Sequence, residues 1–153
     1  MQICKNVMKN DFADLHKMGL KKGKSWPDSD VIETLPKIIK NLFKVESPTG
    51  FESWMVIKKD SLEIIGDVGF KGFNYEEENI DLGYGIIKEE RRKGYAEEDV
   101  TELLKWVHSQ EIVKEITAGC FIENISSINL LRKLNFTETM KDDEMFFWSL
   151  KNK

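Results

Sequence analysis

The chain has 153 residues, 41% of them hydrophobic and 33% charged, with a formal net charge of −4. That length and balance predict one folded domain over residues 1–153 and exclude a disordered chain, and the acidic balance excludes a general nucleic-acid binder, which needs a positive surface to displace counterions from phosphate. The longest apolar runs fall far short of the roughly 20 residues that cross a bilayer, and "MQICKNVMKND" has no apolar stretch like that of a secretion signal, so the expectation is a cytoplasmic protein without a membrane partner.

In chain order, a short strand is expected at Gln2 to Met8, then two helices, "DFADLHKMGLKK" and "DSDVIETLPKIIKNLFK". In the second, Val31, Leu35, Ile38, Ile39, Leu42 and Phe43 recur at helical spacing; Asp28 or Ser29 serves as N-cap, and Pro36 is expected to interrupt the helix. After the "SPTG" turn the period changes. "FESWMVIKK" and "LEIIGDVGFKG" read as strands of a hairpin closed at Lys59-Asp60-Ser61, and "NIDLGYGII" as a third strand. Val100, Leu103, Leu104 and Val107 then place one apolar face on a helix from Tyr95 to His108. A strand "EITAGCFI", a helix "NISSINLLRKL" and a closing antiparallel pair, "FTETM" with "MFFWSL", complete the order ααβββαβαββ, a mixed α/β or α+β fold.

Cys4 and Cys120 lack CxxC or His/Cys spacing, and His16 and His108 have no paired ligand, so neither a disulfide framework nor a metal site is expected. Cys120 reads as buried filler in an apolar strand.

The stretch "ERRKGYAEED" joins the third strand to the following helix. A helix N-terminus offers unpaired peptide N–H groups and a positive dipole end; Gly94 lets a phosphate approach the main chain, and Ala96 keeps the first turn slim. An anion site is expected there, although a solvated turn with helix-start acids at Glu97, Glu98 and Asp99 has the same local pattern.

Three motifs bear on that choice. Arg91, Gly94 and Ala96 resemble the pyrophosphate loop of the GNAT acetyltransferase superfamily, which runs Arg or Gln, two free positions, Gly, one free position, Gly or Ala. "ENISSINLLRKLNF" resembles the superfamily's later motif at Asn124, Ser127, Lys133, Leu134 and Phe136, with Asn135 standing where relatives have Gly. "IIGDVGFKG" with "IDLGYGI" is similar to the branch containing the ribosomal-protein-alanine N-acetyltransferases. The match runs from about Phe51 to Leu150, and the first fifty residues, where such enzymes build much of the acceptor site, match only in being helical.

The resemblance implies a GNAT-like fold: a central, mostly antiparallel twisted sheet with one splayed parallel strand pair, flanked by about four helices. It implies acetyl-coenzyme A as cosubstrate, no metal, and an amine acceptor, in a monomer or homodimer. Backbone groups of Tyr84, Gly85, Ile86 and Ile87 would then hold the pantetheine arm. The turn from Arg91 through Arg92, Lys93, Gly94, Tyr95, Ala96 and Glu97 would hold the pyrophosphate, and Asn124 the pantetheine. Asp81, where relatives commonly carry Glu, is the expected base, or else a solvent-facing carboxylate at the strand end, and Ser127 the expected proton donor because Leu131 replaces the Tyr that many relatives use, or else a helix-start hydroxyl bonding the backbone. Trp26 and Glu77 are candidates for the acceptor site, each with a plain alternative: Trp26 as core, Glu77 as part of a solvated acidic run. A noncatalytic acyl-coenzyme A binding module is the rival expectation.

Overall fold

The computed structural model describes residues 1–153. The elements are α1 (Gln2–Met8), α2 (Ala13–Lys17), β1 (Lys21–Lys22), α3 (Ser29–Leu42), β2 (Ser53–Ile57), β3 (Glu63–Asn74), β4 (Asn79–Ile86), a 3-10 turn (Lys88–Glu90), α4 (Tyr95–His108), β5 (Glu115–Phe121), α5 (Ile125–Lys133), β6 (Thr137–Lys141) and β7 (Met145–Lys151). The expected order of ten elements is present, with two additions ahead of α3, so five α-helices flank the sheet where about four were expected.

One addition corrects the sequence reading, because residues Gln2–Met8 form a helix rather than a strand. Ile3, Cys4 and Val7 share one face against the core, and Gln2 bonds Asn6 one turn on, a spacing that suits a helix and not a pleat. The second correction concerns Pro36. Helix α3 runs unbroken from Ser29 to Leu42 through it, capped by the Asp28 carboxylate accepting from Val31 N–H at 3.0 Å. Pro36 is exposed, so the carbonyl it leaves without a donor lies on the solvent side.

The seven strands form one sheet. β2, β3 and β4 form an antiparallel meander, β5 pairs antiparallel with β7, and β7 with β6. The only long parallel contact joins β4 to β5, from Asn79 opposite Glu115 to Leu82 opposite Ala118, where it stops. Beyond that point β4 stays on β3 as far as Ile86, and β5 stays on β7 as far as Phe121, so the two strands part and leave a gap. The sheet is therefore split on one side of its middle.

Side-chain alternation assigns the two faces. Val68, Phe70, Leu82 and Tyr84 point toward α4, whose Trp106 stacks on Phe51 beside Phe70. Asp67, Gly83 and Gly85 point to the opposite face, where α1 and α3 pack together and α3 lies on β3. Gly66 keeps the β3–β4 pair close: a Cβ there would lie 2.0 Å from the Gly85 carbonyl oxygen, a separation no side chain permits. Cys120 is buried and receives the Trp148 indole N–H at 3.3 Å.

Candidate functional site

Ile87 N–H donates to Ile65 O at 2.8 Å, so the antiparallel alternation turns the peptide groups of Tyr84 and Ile86 away from β3 and into the gap. Pairing with β5 has ended there, which leaves the N–H groups of Tyr84 and Ile86 and the carbonyl of Tyr84 open. The Ile86 carbonyl instead accepts from Arg91 Nε at 2.8 Å. Ile87 contributes nothing to the gap, because it is buried and both its peptide groups bond within the protein, the carbonyl to Glu90 N–H at 3.0 Å.

At the mouth of the gap the chain makes the turn before α4. Arg92 has φ +60° and Gly94 φ +85°, left-handed conformations that curl the turn and point its peptide hydrogens inward. None of the six consecutive N–H groups from Arg92 to Glu97 has an acceptor in the protein; the first satisfied donor is Glu98, bonded to Gly94 O at 3.0 Å. Nothing lies within 4 Å of a Cβ built on Gly94, so the concavity is not filled by the protein's own atoms. Six bare donors at the positive end of a 14-residue helix make a strong anion cradle.

The charges around the cradle are sorted by ion pairs. Lys93 is bound to Glu90 at 3.0 Å, and it holds the Glu90 carboxyl below its ordinary pKa, as does Lys58 at 3.5 Å. Of the acids lining the groove, Glu97 is paired with Lys133 of α5 at 2.6 Å and Glu90 with Lys93 and Lys58, while Asp30 of α3 has no ion pair. No acid engages Arg92, and the Arg91 guanidinium is tethered only through Nε, so positive charge is left facing the cradle.

A groove of about 800 Å³ connects these parts. It is lined by Tyr84, Gly85 and Ile86 from β4, by Arg91, Arg92, Gly94, Tyr95, Ala96 and Glu97 from the turn and α4, and by Asn124 and Ser127 from α5. The structure thus gathers most of the expected cofactor residues along one surface; Lys93 and Ile87 lie outside its lining. Asn124 caps α5, its side-chain oxygen accepting from Ser127 N–H at 3.1 Å, which leaves the amide NH2 as a donor at the groove. Asn135 ends α5 with φ +66°, the left-handed geometry expected of an Asn in a glycine position.

Glu77, one of the two acceptor-site candidates, and Asp81, the expected base, lie away from the groove's lining. Glu77 lies in the β3–β4 turn, bonded by Asn79 Nδ2 at 2.8 Å, and Asn79 is itself six strand steps, about 20 Å, from Gly85. Asp81 lies where β4 and β5 are still paired; its carboxylate takes the Lys71 ammonium on one oxygen and the Thr117 hydroxyl at 2.8 Å on the other.

Sequence reasoning missed two groups. The Tyr84 hydroxyl is buried in the groove with no hydrogen-bond partner of good geometry; burial pushes its pKa up, and the neighbouring Ser127 hydroxyl pulls it the other way. Asp67, on the other face, stands opposite Gly85 in the β3–β4 ladder, and its Oδ1 lies 3.8 Å from a Cβ built on that glycine. Burial, with the nearby Asp28 and Asp30 adding like charge, pushes its pKa to about 6. Alternation along β3 and β4 pairs Asp67 with Gly85, but its isolation from any cation is a tertiary property. No group of His, Cys, Asp and Glu side chains has the arrangement to hold a metal ion, and no helix is long and apolar enough to cross a membrane.

The family model described as "Acetyltransferase (GNAT) domain" matches residues 6–137. The chain is 37% identical over 140 residues to the uncharacterized N-acetyltransferase YjdG of Bacillus subtilis, covering 92% of this chain and 83% of that one. Among solved structures it resembles the ribosomal-protein-S5-alanine acetyltransferase of Vibrio fischeri, with TM-score 0.67 and 17% identity over 99% of this chain and 89% of that one. It also resembles the N-acetyltransferase PseH of Campylobacter jejuni in complex with acetyl coenzyme A, with TM-score 0.60 and 18% identity over 83% and 84% of the two chains.

Proposed function

From the premise that this chain belongs to the GNAT acetyltransferase family and is an acyltransferase, we propose that it moves an acetyl group from acetyl-coenzyme A to a primary amine by direct attack, with both substrates bound together. The observation that carries the proposal is the run of six bare peptide N–H groups, Arg92 to Glu97, at the mouth of the β4–β5 gap. A diphosphate suits that cradle, since its oxygens satisfy donors that nothing in the protein satisfies.

In this scheme Arg91 and Arg92 neutralise the diphosphate, while Lys133 cancels the carboxylate of Glu97. The open edge of β4 at Tyr84 and Ile86 takes the amide groups of an extended arm as an added strand would, and Asn124 donates its amide from the far wall. The thioester supplies an activated acetyl carbonyl. Free N–H groups on β4 polarise it, and the Tyr84 and Ser127 hydroxyls supply the proton that the leaving sulfur needs. The gap opens on both faces of the sheet beside Gly85, so an arm entering from the α4–α5 side brings its reactive end to the α3 side.

Isothermal titration with acetyl-coenzyme A, paired with thiol release over a panel of primary amines, tests the proposal. Saturable binding and amine-dependent thiol release are expected. Binding without release on every amine would reduce the chain to a noncatalytic acyl-coenzyme A binder, and absence of binding would end the proposal.

A further inference from the structure

A second cavity, of about 70 Å³, lies on the α3 face of the sheet. Its walls are apolar: Cys4 and Val7 of α1, Trp26, Val31 and Leu35, and Trp54 of β2. One carboxylate lines it, that of Asp67, which also stands against Gly85, a residue of the groove that opens through the sheet. Asp67 is thus the shared wall between the apolar cavity and the gap where β4 and β5 part.

The surroundings of that carboxylate are unusual for a structural one. No hydrogen bond or ion pair from the protein reaches it, and the charged groups that face it are acids, Asp28 and Asp30 at the start of α3. From α1 the only titratable neighbour lining the cavity is Cys4; β2 brings Ser53, Trp54 and Met55, and β4 brings Gly85. An isolated carboxylate on an apolar wall costs free energy unless a cation or a proton joins it. Asp81 is the contrast, with both oxygens already engaged.

We propose that this cavity is the acceptor site, that it takes a primary amine carried on a short apolar chain, and that Asp67 is the residue that accepts the ammonium proton. The inference rests on the acyl-transfer function proposed above and adds the acceptor's class and the base. The cavity is far smaller than the roughly 300 Å³ at which ordinary ligand pockets begin, so it admits an alkyl group of a few carbons and excludes a ring system or long polyamine. The charges of Asp28 and Asp30, close enough to act on Asp67, favour the approach of a cation, and Trp26 and Trp54 line the space for its carbon chain.

The proton balance closes. The ammonium gives one proton to Asp67, which passes it to solvent; the freed nitrogen forms the C–N bond as the C–S bond of the thioester breaks; the sulfur takes a proton from the Tyr84–Ser127 hydroxyl pair, which the nitrogen's second proton restores. The raised pKa of Asp67 suits this exchange, because a carboxylate nearer in basicity to the operating pH takes a proton more readily than an ordinary aspartate.

The experiment uses the whole chain and 3-methylbutylamine as probe, with spermidine as the comparison amine. Tryptophan fluorescence follows amine binding, titration calorimetry follows acetyl-coenzyme A binding, and thiol release gives the pH profile. The expected result is a fluorescence change with 3-methylbutylamine and little with spermidine, weakened at least tenfold in Asp67→Asn at unchanged acetyl-coenzyme A affinity. The acid limb of kcat/KM near pH 6 should vanish in Asp67→Asn and persist in Asp81→Asn. Asp30→Asn, an exposed change that leaves the core alone, should weaken the amine two- to threefold. Wild-type amine binding in both aspartate-to-asparagine variants of the site, or loss of the limb in Asp81→Asn instead, overturns the inference. Acetyl-coenzyme A binding and thiol release on other amines, with no response to the probe, also overturns it while the acyl-transfer function stands; a wild type that binds no acetyl-coenzyme A takes both down.

Discussion

Replacing Asp67 by Asn should make the protein more stable at neutral pH, and the gain should depend on pH in a defined way. The carboxyl titrates near 6 in the folded chain against an ordinary 3.8, because burial and the charges of Asp28 and Asp30 disfavour its anion. Between those two values the folded state holds a proton that the unfolded state has released, so wild-type stability falls as pH rises through the window and is constant above it. At about 1.4 kcal/mol per tenfold change in proton affinity, that rise corresponds to about 3 kcal/mol, an upper bound since the carboxyl keeps some exposure. Asn has the same shape and does not titrate. Urea unfolding of both proteins at pH 4, 5, 6, 7 and 8 should show a difference that is small at pH 4, grows to about 1–3 kcal/mol by pH 7, and then stays level. A difference independent of pH would show that Asp67 pays no cost for its charge, and would refute the physical basis for treating it as a group kept for function at the expense of stability.

Gly94→Val should weaken acetyl-coenzyme A binding at least tenfold by calorimetry while circular dichroism stays unchanged, since the residue is exposed and its φ of +85° suits no β-branched side chain. Lys133→Met should weaken the same binding three- to tenfold by releasing Glu97 toward the diphosphate, and adding Glu97→Gln should restore it; a double variant as weak as the single one would remove charge cancellation as the role of that pair. Tyr84→Phe should raise stability by about 1 kcal/mol in urea, because it deletes a buried hydroxyl without a partner, yet lower kcat about 100-fold with KM little changed. Gly66→Ala should cost more than about 3 kcal/mol in the same assay, through the collision with the Gly85 carbonyl.

The sequence by itself determined the order of elements, because each long element carries its own period. Val100, Leu104 and Val107 mark a helix in any context, and the alternation of Ile80 and Leu82 marks a strand. It also made legible the run of bare peptide donors before α4, a local device made of a glycine, a turn and a helix start within a few residues. Short elements escaped it: the seven residues of α1 hold too few apolar positions to separate period 2 from period 3.6, and docking against α3 decides between them. Pro36 escaped it because the cost of a missing donor depends on whether that side of the helix is wet.

Only the tertiary structure decided that Asp67 stands without a partner while Asp81 has two. Asp67 and Asp81 occupy equivalent-looking positions in neighbouring strands, and what separates them is what other segments bring: Lys71 and Thr117 engage Asp81, while Trp26, Val31 and Trp54 enclose Asp67 and the acids of α3 surround it. A carboxyl's proton affinity is set by the solvent and charge within a few ångströms, and along this chain those neighbours come from residues tens of positions away. The same holds for Tyr84, whose hydroxyl is buried beside Ser127 only because β5 leaves β4 at Ala118 and α5 crosses there.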